Sequence, residues 1–381
     1  MFTIRNVGIL LLAALVFASC NSYEKSKRIR AEKIAASKGP IVIAIVWPND
    51  NINLPFINGM SLAIDEINRA EGVMGKKLQT VMYDEPTGKN GYKIAKQVIK
   101  NQNIVAVVGH SNSASAIPAS ITYEENGILF LAPSSSSPAL TAHDFQYVFR
   151  TAPSDVMIGR HMAQFTHRKG YRRIIILDDN SIYGTGLADI YYAAAVDLGL
   201  EIVSHKAYFK WQSDYRPLIS EFTKLDFDAV FLAGLMPNGA LMIKQFREMG
   251  IHAPFISGDG LDFPDLPVIA GSAAEGTVVP TVFNPDADNQ LVREFKNSFE
   301  KRFNSTPGTW DALGYDAIKL LAFAFEKSGS TVPIIVSSML RFTKHWQGVT
   351  GDYTFDINGE LSEKPLYFKK VRNGRFEFIK E

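Results

Sequence analysis

Two clusters of hydroxyl side chains follow two apolar runs of the sequence, where strands are expected to end. Ser111-Asn112-Ser113 comes shortly after the run Ile104 to Val108. The second cluster, Ser134 to Ser137, comes shortly after the run Ile128 to Leu131. Parallel strands that are buried on both faces have continuous apolar sequences, and open α/β sheets bind ligands at the carboxyl ends of such strands. The pattern therefore predicts hydroxyl donors at a ligand-binding edge of a sheet.

Asp259 occupies a similar position further along the chain, between two glycines and after the apolar strand predicted for Pro254 to Ser257. Hydroxyls and the free N–H groups of a helix N-terminus suit a carboxylate, and an aspartate suits an ammonium group. Together the hydroxyl clusters and Asp259 would bracket an α-amino acid. Simpler roles stay open at this stage, because serine often caps a helix and aspartate often forms a turn.

These residues are carried by elements that alternate strictly between strand and helix. The strand Ile41 to Val46, the helix that starts at Pro55 and the strand Leu78 to Tyr83 begin a first series. A second series starts after Thr151 to Asp155. Such alternation predicts parallel sheets with helices on both faces. The fold class that we predict is α/β, with two units that are each a doubly wound, mostly parallel sheet.

The end of the chain has a different pattern. It contains two hairpin signals, the turns Asn358-Gly359 and Asn373-Gly374. Asn-Gly pairs favour the two-residue turns of antiparallel hairpins. The sequence therefore predicts antiparallel strands near its end.

Composition argues against several classes of partner. The chain has 381 residues, of which 46% are hydrophobic and 21% charged, as is usual for globular proteins, and its length favours two domains. The 40 basic and 39 acidic residues nearly cancel, so no excess of basic charge favours nucleic acid. The sequence has no cluster with metal-ligand spacing, and we expect no metal and no cofactor.

The N-terminal sequence predicts an exported lipoprotein. Residues 1–19 contain Arg5 and then an apolar core, Val7 to Phe17, which is too short to span a membrane and is typical of a signal peptide. Phe17-Ala18-Ser19-Cys20 resembles a bacterial lipobox, with phenylalanine where leucine is usual, and Cys20 is the only cysteine. We expect Cys20 to carry a lipid; a plain signal peptide is the alternative. The polar residues 20–39 are interpreted as the lipidated cysteine and a mobile tether, with a short helix as the alternative.

Short motifs follow one another along the chain in an order that is hard to obtain by chance. They are Asn58-Gly59, Gly109-His110, Pro118-Ala119-Ser120, Ala132-Pro133-Ser134, Tyr147-Val148-Phe149-Arg150-Thr151, Tyr183-Gly184-Thr185-Gly186-Leu187, Ala274-Glu275-Gly276, Tyr315-Asp316-Ala317 and Phe355-Asp356-Ile357-Asn358-Gly359. Taken in this order, the stretch from about Ile41 to Phe378 resembles the type I periplasmic binding proteins of the leucine/isoleucine/valine-binding family. These proteins are the solute receptors of ABC importers and are not enzymes.

The resemblance implies two discontinuous lobes, because in this family the chain passes to the second lobe and returns through three crossing strands. Lobe 1 is expected at residues 40–152 and 284–338, and lobe 2 at residues 153–283 and 339–381. The hinges are expected near Ala152–Ser154, Phe283–Pro285 and Thr343–Val349, and the ligand in the cleft between the lobes.

The family's polar ligand-binding positions fall on four residues of this sequence. The resemblance implies that Ser113 and Ser136 bind the ligand carboxylate and that Ser134 offers a backbone contact. It also implies that Asp259 binds the ligand ammonium. This aspartate is shorter than the glutamate that is usual in the branched-chain amino acid receptors.

The resemblance places aromatic residues at the ligand as well. Tyr183 is expected to contact it from lobe 2, and Trp310 to flank its side chain, although both could instead be core residues. Trp47, at the end of the first strand, is a further candidate. Leu235 stands where the branched-chain receptors have a tyrosine, and their lobe 1 disulfide is absent. The ligand therefore need not be leucine, and other amino acids, amides and amine-free carboxylates stay open.

The expected partners follow from the same resemblance. They are a small-molecule ligand, an amino acid or a related carboxylate or amide, and the membrane permease of an ABC importer. We expect a monomer at the periplasmic or extracytoplasmic face, held to the membrane by its N-terminal lipid. A receptor that delivers its closed form to a membrane sensor is the alternative, since closure is the output in both cases.

Two enzyme motifs are incomplete in this sequence. Gly109 to Ser113 lies on a strand–turn–helix, as a hydrolase nucleophile elbow does, but Ser113 stands where that motif needs glycine. Gly184-Thr185-Gly186 begins like a dinucleotide fingerprint, but Asp189 occupies the place of the third glycine. We therefore predict no catalytic residue; a serine hydrolase is the least favoured alternative.

Overall fold

The computed structural model describes residues 23–86, 90–362 and 364–379. The signal peptide predicted for residues 1–19 and the lipid predicted on Cys20 lie outside the described residues. Within these ranges the chain forms two sheets with helices packed on their faces, which confirms the predicted α/β class.

The first sheet has five parallel strands in the order β2-β1-β3-β4-β5. We call this sheet, with the helices and the strand pair packed on it, lobe 1. Its strands are β1 (Ile41–Trp47), β2 (Leu78–Asp84), β3 (Ile104–Gly109), β4 (Leu129–Ala132) and β5 (Val148–Arg150). Its helices are α2 (Leu54–Arg69), α3 (Gly91–Val98), α4 (Ser113–Glu125), α10 (Gln290–Phe303), α11 (Thr309–Ser328) and α12 (Pro333–Phe342), and the strand pair is β11 (Trp346–Gly348) and β12 (Gly351–Tyr353).

The second sheet has seven strands in the order β14-β13-β10-β9-β8-β6-β7 and, with its helices, forms lobe 2. Strands β6 to β10 are parallel, and the hairpin β13–β14 is antiparallel to them. The strands are β6 (Arg173–Asp178), β7 (Glu201–Ala207), β8 (Ala229–Ala233), β9 (Phe255–Ser257), β10 (Val278–Thr281), β13 (Tyr367–Arg372) and β14 (Arg375–Ile379). The helices are α5 (Asp155–Arg168), α6 (Ile182–Asp197), α7 (Arg216–Ser220), α8 (Asn238–Glu248) and α9 (Asp265–Ala270).

The hairpin predicted from Asn373-Gly374 is confirmed. Both residues have positive φ, 50° and 75°, which the tight turn of a twisted hairpin requires.

The third crossing between the lobes lies later in the chain than the predicted Thr343–Val349. Tyr353, Phe355 and Leu361 are buried in the core of lobe 1, and Phe355 bridges to Leu361. Residues 339–361 therefore belong to lobe 1 and not to lobe 2, and the chain crosses only between Leu361 and β13. The turn Asn358-Gly359 predicted antiparallel pairing here, but it did not indicate which core the paired residues would join.

The turn at Gly359 is fixed against the end of β5. Arg150 N donates to Gly359 O (3.0 Å), and the buried Arg150 guanidinium forms a salt bridge with Glu360 at 2.8 Å. A side chain at Gly359 would collide with Val148 O, at 2.1 Å from its Cβ, and φ is +77°. This contact ties the last segment of lobe 1 to the first crossing.

The tether predicted for residues 20–39 is wrong over residues 23–36, which form a helix, α1, packed on lobe 1. Arg30 is only 3% exposed, and its guanidinium donates to the carbonyls of Ile99, Asn101, Ile104 and Asn126 at 2.8–3.1 Å. One turn further, Ile34 enters the core of lobe 1. The alternative of a short helix is the one that the structure bears out.

In the described part of the chain, no single helix has the length and apolar composition needed to cross a membrane. Helices α11 and α12 together reach that composition, but they meet at an angle of 102°.

We predict that Arg30→Met lowers the free energy of unfolding by roughly 2 kcal/mol or more, because buried carbonyls lose charged donors. Denaturant unfolding monitored by circular dichroism measures the effect. Arg28→Met is the matched control, since the Arg28 side chain is 71% exposed on the same helix. Equal stability of the two variants would show that α1 is not held by these bonds.

Candidate functional site

A cavity of about 40 Å³ lies between the carboxyl ends of the two sheets. It contains six of the seven residues that the sequence predicted, and the seventh, Ser136, lies outside its lining. The lining residues are Trp47, Asn53, Ser111, Asn112, Ser113, Ser134, Tyr183, Leu235, Asp259, Gly260, Phe263 and Trp310. The sequence thus predicted which residues meet, whereas their role in binding stays a prediction.

The hydroxyl wall of the cavity is formed by the loops after β3 and β4. Asn112, and not Ser113, caps helix α4 by accepting from Ser115 N (3.1 Å). Ser113 is the first helical residue, and its hydroxyl accepts from Ser137 N (3.3 Å). Ser134 Oγ donates to the carbonyl of the residue after β3, His110, at 2.7 Å. These bonds hold the two serine clusters together at the N-terminus of α4, where free N–H groups favour an anion.

A buried polar cluster supports this wall from behind. His110 Nδ1 lies 2.6 Å from Glu85 Oε1, and His110 Nε2 lies 2.9 Å from the Tyr123 hydroxyl. Glu85 also accepts from Ser115 Oγ and from Ser111 N (3.4 Å). Glu85 and Ser115 share the Nδ1 side of the ring, whereas a hydrolase triad places the serine at the other nitrogen. The cluster is fully buried and fixes the 111–115 turn.

The acidic wall is formed by Asp259 and Tyr183 of lobe 2. Tyr183, in the first turn of α6, donates to Asp259 Oδ1 (2.8 Å) and accepts from Gly260 N (3.0 Å). Burial raises the pKa of Asp259 to about 6, although the Tyr183 hydrogen bond lowers it. The wall therefore presents a carboxylate whose ionisation a nearby cation would favour.

Aromatic side chains line the remaining sides of the cavity. Trp47 stacks on Phe56 with ring centroids 3.8 Å apart. Trp310 of lobe 1 stacks on Phe263 of lobe 2 at 5.1 Å, and its indole N–H donates to Asp262 O at 3.0 Å. Trp310 is therefore both a wall of the cavity and a contact between the lobes.

A second cavity, of about 270 Å³, adjoins the first. The two share Asn112, Tyr183 and Leu235 as lining residues, and the second is also lined by Lys210 and Trp211. The resemblance described above implies a tyrosine at the position of Leu235 in the branched-chain receptors. Leucine is smaller than tyrosine, so the wall between the two cavities is thinner at this position.

Asp155 is a residue of the site region that our reading of the sequence missed. It is the first residue of α5, fully buried, and its backbone N–H donates to Ser136 O (2.8 Å) across the cleft. Burial and then the charge of Asp259 raise its pKa to about 8. The only sequence signal was an acid before a helical pattern, which is common at helix starts.

Comparison with known proteins agrees with this geometry. Residues 48–375 match the family model described as periplasmic binding protein. The chain belongs to the periplasmic binding protein family. The resemblance stated from the sequence is thereby confirmed.

Relatives of this binding protein match it over most of its length. The Leu/Ile/Val-binding protein homolog 1 of Brucella suis is 31% identical over 90% of this chain and 92% of that protein. The leucine-, isoleucine-, valine-, threonine- and alanine-binding protein of Pseudomonas aeruginosa is 30% identical, with 92% of both chains covered. An ABC transporter substrate-binding protein of Desulfitobacterium hafniense in complex with Leu superposes with a TM-score of 0.78, at 34% identity over 89% of this chain and 100% of that one.

We predict a pH-dependent gain of stability for Asp259→Asn in the ligand-free protein. Between the ordinary pKa of 3.8 and about 6, the folded protein binds a proton that the unfolded chain releases. The free energy of unfolding therefore falls as pH rises through this window, and the amide removes that loss. The Tm of the variant relative to wild type should rise from pH 4 to pH 7.

Differential scanning calorimetry across this pH range measures the difference. Asp265→Asn, the same change in the first turn of α9 and outside the cavity, is the control. A Tm difference that does not vary with pH would contradict the predicted environment of Asp259.

Proposed function

We propose that this protein is the extracytoplasmic solute-binding receptor of an ABC importer and that it binds an amino acid in the cavity between its lobes. The observation that carries the proposal is the opposition of two walls across one cavity. The lobe 1 wall offers Ser113, Ser134 and the N-terminus of α4 to a carboxylate, and the lobe 2 wall offers Asp259 to an ammonium. Such a pair of walls matches the two charges of an α-amino acid.

The relatives support the ligand class. The Pseudomonas aeruginosa protein is named for binding leucine, isoleucine, valine, threonine and alanine, and the Desulfitobacterium hafniense structure contains Leu. In this proposal Tyr183 positions Asp259, and Trp47 and Trp310 enclose the ligand side chain. Ser136, in the loop after β4, lies outside the lining, and its carbonyl accepts from Asp155 N at the start of α5.

Closure by hinge motion is the proposed mechanism of signalling to the permease. In the closed structure, Asp262 of lobe 2 accepts hydrogen bonds from Trp310 Nε1 (3.0 Å) and Thr309 Oγ1 (2.6 Å) of lobe 1. The three crossings, at residues 151–154, 282–289 and 364–366, are the segments that rotation of the lobes would bend. A lipid on Cys20 would hold the receptor at the extracytoplasmic face of a membrane, as a monomer.

A thermal-shift screen with the twenty standard amino acids tests the proposal. At least one L-amino acid should raise Tm in a concentration-dependent way and should be recovered unchanged, because a receptor stabilises by binding alone. Asp259→Asn should weaken that binding roughly tenfold or more, since the ammonium loses a buried charged partner. Asp265→Asn should bind like wild type. If no amino acid changes the Tm, the proposed function is wrong.

We predict that residue 235 sets the length of the side chains that the cavity accepts. Leu235→Ala should favour long side chains over short ones by opening the wall shared with the second cavity, and Leu235→Trp should do the reverse. The change should be roughly tenfold in relative affinity, about the effect of one or two methylenes in a pocket. Calorimetric titration with alanine, leucine and phenylalanine measures it. An unchanged order of affinities in both variants would contradict continuity of the two cavities.

A further inference from the structure

Helix α1 covers the end of lobe 1 that is opposite to the cavity. The carbonyls that accept from Arg30 lie just after α3 and α4 and at Ile104, the first residue of β3. The cavity lies at the other end, beyond the carboxyl ends of the same parallel strands. The length of the strands separates these two ends of the sheet. A partner held against α1 would therefore leave the cavity free to bind its ligand.

Cationic side chains are concentrated at this end of lobe 1, and we call the surface that they form the α1 face. Its cations are Lys25, Arg28, Lys33 and Lys38 on or just after α1, Lys76 and Lys77 before β2, and Lys100 between α3 and β3. Lys76 Nζ donates to Ser37 O at 2.7 Å, and Lys33 and Lys76 line the same crevice. These contacts join the cations of α1 and those of the sheet into one surface.

The acidic residues at this end are fewer, and several of them are already paired. Glu32 lies 3.7 Å from Arg28, and Glu24 and Glu124 both pair with Lys27, at 3.3 and 3.7 Å. The acids that remain at this end are Glu71, Glu125 and Asp144.

Most cations of the α1 face, in contrast, have no acidic partner. Within the described residues, no salt bridge is formed by Lys25, Lys33, Lys38, Lys76, Lys77 or Lys100. The whole chain has 40 basic and 39 acidic residues, so the excess of positive charge on this face is a local asymmetry. Such a face attracts an extended anionic surface.

The position of Cys20 indicates which anionic surface this is. Only two residues separate Cys20 from Tyr23, the first described residue of α1. A lipid on Cys20 would hold the α1 face close to the bilayer, where electrostatic attraction acts over a Debye length of about 10 Å at 0.1 M salt. Tyr23 and Ile29 are 40% and 39% exposed on this helix. Tyrosine and apolar side chains among lysines are typical of helices that lie in the headgroup region.

We propose that the α1 face is a membrane-binding surface and that its partner is a bilayer with anionic phospholipid headgroups. The lysine ammonium groups lie among the headgroup phosphates, and Tyr23 and Ile29 enter the interfacial layer. Each lysine close to such a bilayer increases the partition coefficient about fivefold, so a few lysines suffice for measurable binding without a lipid. The inference extends the membrane attachment of the proposed function, and it does not depend on the identity of the ligand in the cavity.

Sedimentation with vesicles tests the proposal on the chain from residue 20, made with Cys20→Ser so that it carries no lipid. The chain should bind vesicles of equal parts phosphatidylglycerol and phosphatidylcholine, and it should not bind vesicles of phosphatidylcholine alone. Binding should weaken roughly tenfold or more between about 20 mM and about 200 mM salt, because the attraction is screened. Replacing Lys25, Lys33 and Lys38 together by glutamine should lower the partition coefficient roughly tenfold or more.

The matched control replaces three lysines of lobe 2, Lys169, Lys224 and Lys244, by glutamine. They are exposed and form no salt bridge in the described part of the chain, so the control loses the same net charge elsewhere. It should bind the vesicles as the unsubstituted chain does. Thermal unfolding, with and without amino acids, establishes that each variant is folded and that its cavity is unchanged.

Three results would overturn the proposal. One is equal binding, or no binding, of the unsubstituted chain to the two kinds of vesicle. Another is an equal loss of binding in the two triple variants, which would show that only net charge matters. The third is binding to a DNA duplex as tight as to the anionic vesicles, which would make the α1 face a general polyanion surface. None of these results affects the proposed receptor function, which fails only if no amino acid raises the Tm.

Discussion

A buried carboxylate must either stay protonated or meet a cation, and the cleft of this protein is arranged around that constraint. Asp259 accepts from the Tyr183 hydroxyl and from backbone N–H groups, but burial still raises its pKa to about 6. Burial of this carboxylate in its ionised form raises the free energy of the folded protein. In the function proposed above, a ligand that brings a positive charge would remove this cost, and the removal would contribute to its binding free energy.

The rest of the fold holds the two walls of the cavity in place. On lobe 1, Glu85 fixes the turn of Ser111 to Ser115, so that the serine hydroxyls and the end of α4 are oriented before a ligand arrives. At the first crossing, Arg150 joins β5 to Glu360 by a salt bridge. Orientation before binding reduces the entropy that binding must overcome.

The sequence predicted those parts of the site that depend on local pattern. Ser113, Ser134 and Asp259 follow apolar strands, and the edge of a parallel sheet brings such positions together whatever the details of packing. Asp155 could not be identified in this way, because its significance depends on Ser136 and Asp259, which are brought close only by the closed lobes. Helix α1 was only the alternative to a tether for a related reason. Its polar sequence conceals one buried face, formed by Arg30 and Ile34, and the carbonyls that Arg30 binds lie 69 to 96 residues further along the chain in lobe 1.

Docking of α1 has a mechanical consequence for the lipid that we propose on Cys20. All the contacts described for Arg30, and the salt bridge of Lys27 with Glu124, are made with lobe 1. Three Cα–Cα steps separate Cys20 from Tyr23, the first described residue of the helix, so the two lie at most about 11 Å apart. Lobe 1 would then stay fixed beside the bilayer, and lobe 2 would be the lobe that moves. A permease that recognises the closed form would then respond to the position of lobe 2 relative to a fixed lobe 1. The orientation of the whole receptor would vary little.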